Sequence, residues 1–233
     1  MKAPIVLALD TANLETAKRW VAATEQYVSV FKLGLEFFLT FGHDGVRAIQ
    51  NETDAEIFLD LKLHDIPHTV SGAAAAIAEL NPRYLTVHAT GGAEMIKAAV
   101  EAVPNTSVTA VTILTSLSEE DLGSIGFAKP ALQSAVALAK IAINSGAKAL
   151  VCSPLEISAI RSAVGSSPLI ITPGVRPLSE QGGDDQKRTM TPREAINLGA
   201  SLVVIGRPIT RAWQNGPEEM SSKARHIAQE IMN

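Results

Sequence analysis

One cysteine, Cys152, stands in 233 residues, so no disulfide can form within the chain, and this usage fits a reducing compartment. No apolar stretch approaches the roughly 20 residues needed to span a bilayer. The chain enters a strand-like run, Ile5 to Leu9, almost at once, without the longer apolar region or small-residue cleavage site of a secretory leader. No block of like charge stands out: 20 basic and 24 acidic residues are scattered along the chain, for a formal charge of −4. That balance offers no footing for nucleic acid or an anionic membrane surface. A soluble, cytoplasmic protein is expected.

What is present is apolar and regularly punctuated. With 46% hydrophobic residues the chain can build one large core, and 233 residues suit one α/β barrel domain spanning residues 1–233. Short runs rich in β-branched residues predict strands near Ile5 to Asp10, Val28 to Gly34, Glu56 to Lys62, Tyr84 to Ala89, Ser107 to Leu114, Ala149 to Ser153, Leu169 to Val175 and Leu202 to Arg207. Amphipathic or Ala-rich segments lie between and after them: Leu14 to Gln26, Glu36 to Asn51, Pro67 to Leu80, Ala93 to Val103, Pro130 to Ser145, Leu155 to Val164, Pro192 to Leu198 and Pro217 to Ile231. Several open with proline, whose missing N–H is harmless in a first turn. Gly146 and Gly199 follow helical runs where a left-handed cap is suited. Strand and helix alternating eight times favour a closed (β/α)8 TIM barrel over an open doubly wound sheet.

In such a barrel the active site is built at the C-terminal ends of the strands. Here those ends are polar: Asp10 on the first, Lys32 on the second, Asp60 and Lys62 on the third, His88 on the fourth, Thr112 and Thr115 on the fifth, Gly206 and Arg207 on the eighth. Alternation along Ile57-Phe58-Leu59-Asp60-Leu61-Lys62-Leu63 puts Asp60 and Lys62 on one face and the three leucines on the other. The leucines then face the helices, and the charged pair faces the barrel mouth. Buried charges persist only when paired, so Lys32, Asp60, Lys62 and Asp65 are candidates for an alternating network of two cations and two anions. An ion-pair cluster with no chemical role is the plainer alternative.

The run Asp60-x-Lys62-x-x-Asp65-Ile66-Pro67-x-Thr69, with Asp10 and Lys32 upstream and Ile205-Gly206-Arg207-Pro208-Ile209 near the end, closely resembles the orotidine 5′-phosphate decarboxylases. The likeness extends through Leu7-Ala8-Leu9-Asp10, Val108-Thr109-Ala110-Val111-Thr112 and Thr172-Pro173-Gly174-Val175-Arg176-Pro177, and so covers essentially the whole chain. The resemblance implies loss of carbon dioxide from orotidine monophosphate, protonation of the carbanion-like centre to give uridine monophosphate, and no metal or organic cofactor. Lys62 is the residue suited to act as the acid, because an ammonium both stabilises negative charge and delivers a proton. Asp60 would sit against the substrate carboxylate, and Asp60 with Asp65 would keep Lys62 charged and aimed. The resemblance further implies a homodimer in which Asp65, Ile66 and Thr69 reach into the neighbouring subunit's site. It assigns Asp10 and Lys32 to the ribose hydroxyls, and Thr115 to the border of the pyrimidine. Pro173, Arg176 and Gln186 join the ligand contacts, with Gln181 the alternative to Gln186 because the spacing from Arg176 is one residue longer than the family pattern. Gly206 allows close backbone approach and Arg207 offers a fork for phosphate. The stretch from Arg176 to Arg188, holding Gly182 and Gly183, reads as a lid over that phosphate.

Other residues carry plainer readings. His64 and His68 have metal-ligand spacing, yet no third ligand set accompanies them, so they read as hydrogen-bonding or solvated histidines. His88 reads as a hydrogen-bonding residue of the barrel mouth, Cys152 as a small buried hydrophobe, and Trp20 and Trp213 as packing residues. Two rival functions remain: a magnesium-dependent sugar-phosphate decarboxylase or synthase of the same barrel suprafamily, and a non-catalytic barrel that binds a phosphate ligand.

Overall fold

A strand covered on both faces needs apolar residues on both, which is why Val28-Ser29-Val30-Phe31-Lys32-Leu33-Gly34 shows no clean alternation. The computed structural model describes residues 2–177 and 190–232. Among them eight such runs form strands: β1 (Ala3–Ala8), β2 (Val28–Gly34), β3 (Glu56–Leu63), β4 (Tyr84–His88), β5 (Ser107–Val111), β6 (Ala149–Val151), β7 (Leu169–Thr172) and β8 (Leu202–Ile205). All neighbours pair in parallel and in chain order, and β1 bonds to β8, closing the barrel.

Around it run α1 (Leu14–Thr24), α2 (Leu35–Gln50), α3 (Pro67–Ile77), α4 (Gly92–Ala102), then α5 (Glu119–Ser124) and α6 (Ala131–Asn144). They are followed by α7 (Ile157–Val164), α8 (Pro192–Asn197), α9 (Arg207–Thr210) and α10 (Pro217–Met232). The short α5 and α9 are additions to the sequence expectation. At six residues α5 is too brief to show a helical period, although Ser118 and Asp121 cap it reciprocally. The helix expected from Glu36 to Asn51 is interrupted at Gly42, whose positive φ of 56° breaks the helical path within α2. Gly146 and Gly199 do take the positive φ of left-handed caps, 93° and 108°.

Most strands end earlier than their apolar runs. Leu9, Ile113, Cys152 and Val175 lie beyond the last strand residue but remain buried, so the apolar pattern outlasts the pairing. The core has two parts. Leu7, Phe31, Leu59 and Leu85 point outward and pack under the helices together with Trp20. Val6, Val30, Phe58, Tyr84, Ile171 and Leu202 point inward and fill the lower barrel, where the rings of Phe58 and Tyr84 lie 5.5 Å apart.

Above this plug the inward positions turn polar. Counting up by twos, β1 gives Val6, Ala8 and Asp10, β2 gives Val30 and Lys32, β3 gives Phe58 and Asp60, and β4 gives Tyr84, Thr86 and His88. At the opposite, N-terminal face Arg161 ties three segments together. Its guanidinium donates to the carbonyls of Gly199 (3.0 Å), Pro168 (2.6 Å) and Gly165 (3.3 Å) and to Ser201 Oγ (3.0 Å). Ser201 Oγ in turn accepts from Ile170 N at 3.1 Å. This fixes the α7 C-terminus to the starts of β7 and β8, and burial lowers the Arg161 pKa from its ordinary value.

Candidate active site

The first three strands deliver the charged groups of the mouth, and β4 adds a hydroxyl. Lys62 Nζ lies 2.8 Å from Asp60 Oδ1, and Lys32 Nζ lies 3.3 Å from Asp60 Oδ2 and 3.4 Å from Asp10 Oδ1. Thr86 Oγ1 donates to Asp60 Oδ1 at 3.0 Å. Asp60 therefore sits between two ammonium groups. Burial alone would push its carboxyl pKa up, but Lys32 and Lys62 outweigh that and hold it below the ordinary carboxylate value. Burial likewise works against the charge on Lys32, and Asp60 and Asp10 more than compensate, leaving its pKa raised.

Simple alternation along β3 does not continue to Lys62. Its φ is 49°, in the left-handed region, and the pairing register shifts between Leu59↔Leu85 and Leu63↔Val87. Four residues advance on β3 while two advance on β4, which makes a bulge and re-aims the side chain. For a residue with a Cβ that backbone costs about 1 kcal/mol or more, and it persists where surrounding contacts over-determine it. Two contacts do so here: Lys62 N donates to Thr86 Oγ1 at 2.8 Å, and Lys62 Nζ to Asp60.

The cluster opens into a cleft of about 280 Å³. Val111, Ile113, Leu114 and Val151 supply apolar wall, Thr115 and Pro173 also border the space, and Arg176, Gly206 and Arg207 line the same cleft. A Cβ built at Gly206 would make only an ordinary contact, 3.5 Å from Ala8 Cβ, so packing leaves room for a ligand to approach the backbone.

With this geometry stands a family match. A family model described as orotidine 5′-phosphate decarboxylase / HUMPS family matches residues 3–222. The chain belongs to that family. It is similar to an orotidine 5′-phosphate decarboxylase of Thermobifida fusca (strain YX), 53% identical over 216 residues, covering 93% of this chain and 92% of that protein. A protein of the same name from Frankia casuarinae is 46% identical over 232 residues, covering 92% and 84%. The crystal structure of orotidine 5′-phosphate decarboxylase from Lactobacillus acidophilus superposes with a TM-score of 0.85 at 33% identity, covering all of both chains.

For this member of the orotidine 5′-phosphate decarboxylase / HUMPS family, the residues named from sequence fall into three groups. Asp10, Lys32, Asp60 and Lys62 converge, and Thr115, Pro173, Arg176, Gly206 and Arg207 line the same cleft. Asp65, Ile66 and Thr69 do not join them within one chain: all three are exposed, and Asp65 accepts from Ile66 N at 2.6 Å. Asp10, not Asp65, is the second carboxylate beside Lys32. Gln181, Gln186 and most of the expected lid fall within 178–189, outside the described residues.

His88 feels the charged chain without belonging to its ion pairs. The His64 and His88 rings lie 5.4 Å apart, and burial, then His64 and Lys62, lower the His88 pKa below the ordinary imidazole value. Among the described residues no group of three or more His, Cys, Asp or Glu could hold a metal ion, and no helix is long and apolar enough to cross a membrane. Burial pushes the Cys152 thiol pKa up and so disfavours the thiolate, its nucleophilic form.

Two residues of the site escape a reading based on charge. Thr86 was legible as the inward position between Tyr84 and His88. Gly34, which ends β2, has no such signal. A Cβ there would lie 3.3 Å from Lys32 Nζ and 3.4 Å from Asp10 Oδ1, so the glycine leaves room for that ion pair.

Proposed function

We propose that this chain converts orotidine 5′-monophosphate to uridine 5′-monophosphate and carbon dioxide, with Asp60 and Lys62 at the reacting carbon. The observation that carries the reading is the Lys32–Asp60–Lys62 chain, a partly buried carboxylate clamped between two ammonium groups and facing a cleft with an apolar wall. The names of relatives at 44–53% identity over most of the chain support the substrate.

The chemistry follows from charge. A substrate carboxylate placed against ionised Asp60 is repelled, and the repulsion disappears when neutral carbon dioxide departs. The bond between ring and carboxylate breaks with its electron pair left on the ring carbon. The Lys62 ammonium stabilises that pair and delivers a proton to it, and the resulting neutral amine regains a proton from water. An apolar wall lowers the local dielectric and strengthens these interactions. Asp10 and Lys32 would hold the ribose hydroxyls, Thr115 and Pro173 the pyrimidine side, and Arg176, Gly206 and Arg207 the phosphate.

The same reading makes the protein a cytoplasmic homodimer with shared sites. Leu39, in the N-terminal half of α2, is 80% exposed, and Ile66, which caps the N-terminus of α3, is 65% exposed. Such exposed apolar residues beside a functional mouth favour a partner surface. Docking there would carry Asp65, Ile66 and Thr69 toward the opposite cleft.

The test is a spectrophotometric assay with orotidine 5′-monophosphate in EDTA. The reading expects full turnover with the chelator present. Absence of turnover, or its loss on chelation, would favour a metal-dependent sugar-phosphate reaction in the same barrel.

A further inference from the structure

The hydroxyl of Thr86 bonds both residues that the proposed reaction needs, the backbone amide of Lys62 and the carboxylate of Asp60. Lys62 N can only donate, so at 2.8 Å the Thr86 oxygen must accept. Its single proton is then directed to Asp60 Oδ1 at 3.0 Å, the same oxygen that receives Lys62 Nζ at 2.8 Å. The result is a closed ring: Lys62 backbone to Thr86, Thr86 to Asp60, Asp60 back to the Lys62 ammonium. The threonine is fully buried on the central part of β4, so water is not at hand to replace it.

The ring encloses the bulge of β3, where Lys62 holds a left-handed backbone that a residue with a Cβ rarely adopts. We infer that Thr86 is a positioning residue: its hydroxyl pins the bulged Lys62 amide and the Asp60 carboxylate in one geometry, which sets where the ammonium stands when the carbanion forms. A valine in its place has nearly the same shape but neither accepts nor donates. It would strand a Lys62 N–H and take one donor from Asp60, giving the bulge a reason to relax. A serine preserves both hydrogen bonds. The inference rests on the roles proposed above for Asp60 and Lys62. It adds the residue that holds them in register.

The experiment compares Thr86→Val and Thr86→Ser with the unaltered protein, using orotidine 5′-monophosphate turnover, uridine 5′-monophosphate affinity, thermal melting and a crystal structure of each variant. Thr86→Val is expected to lose about 10- to 100-fold in kcat, the factor associated with one hydrogen bond to a charged group. Nucleotide affinity should stay near that of the parent, because the ribose and phosphate contacts lie elsewhere. Thr86→Ser should recover most of kcat. In the valine variant's crystal structure the Lys62 ammonium should stand away from Asp60.

A valine variant with parental kcat overturns the inference, as does a serine variant that falls equally far. If Thr86→Val does not fold, Thr86→Ala takes its place with the same expectations. Failure of the parent protein to release carbon dioxide would instead overturn the proposed reaction, and the Lys62 position in the variant crystals would still decide whether Thr86 sets it.

Discussion

At Asp60 two large effects oppose each other. Removing a carboxylate from water disfavours its charge, while two ammonium groups within 3.3 Å favour it, and the second effect wins. Lys32 settles the same contest in the same direction. The sign of each shift fixes a pH window. The depressed Asp60 pKa contributes stability present above the unfolded carboxylate value and lost as pH falls through the folded one. The depressed His88 pKa acts likewise nearer neutrality, whereas the raised Lys32 pKa contributes stability lost only as alkali passes its folded value. Urea unfolding of the protein should therefore show little change from these groups between about pH 7 and 10, with a first loss below about pH 6 that His88→Asn reduces. An acid loss identical in the variant would remove His88 from this account. The charged residues were legible in the sequence because unpaired buried charges are so costly. Thr86 carries no such mark, because a threonine is a neutral, β-branched residue at home in any strand, and only its inward register gives it away. Asp65 shows the converse: its charge suggested membership of the intrachain network, but the chain leaves β3 before it and the carboxylate turns to its own neighbour's N–H.

Elements obey the same physics with less ambiguity. Eight apolar runs separated by helical patterns admit few arrangements, and burial on both faces selects a parallel closed sheet. What the runs could not disclose is where pairing stops, since Leu9, Ile113 and Cys152 stay buried after the ladder ends. Nor could they disclose the β3 bulge, because a register shift depends on the partner strand rather than on local composition. Division of labour between barrel faces gives a prediction at this scale. Arg161 braces β7 and β8 at the N-terminal face, away from the cleft. Arg161→Ala should lower the unfolding free energy by about 2 kcal/mol, through hydrogen bonds lost to a charged donor, while kcat/KM at 25 °C is unchanged. Chemical denaturation with parallel kinetics checks both halves. A variant as stable as the parent, or a folded variant with reduced kcat/KM, would contradict the division.

For the whole molecule the open question of assembly is also one of chemistry, because Asp65 lies outside its own chain's cluster. If Asp65 acts across a two-fold interface, a mixture of Lys62→Ala and Asp65→Ala chains forms hybrid dimers with one intact site. Equal mixing after subunit exchange should restore about a quarter of parental turnover, since half the dimers are hybrid and each has one of two sites intact. Sedimentation at low concentration should show the dimer itself, and a monomeric protein of full activity would exclude sharing. Beneath assembly stands the claim that the ammonium of Lys62, clamped by Asp60, is the acid and the electrostatic partner of the reacting carbon. The decisive measurement is turnover and product affinity of Lys62→Ala, taken side by side. Orotidine 5′-monophosphate turnover should fall about ten-thousandfold or more while uridine 5′-monophosphate still binds with near-parental affinity. Turnover and affinity falling together by the same modest factor would mean that the lysine merely anchors ligand, and the account would be wrong at its centre.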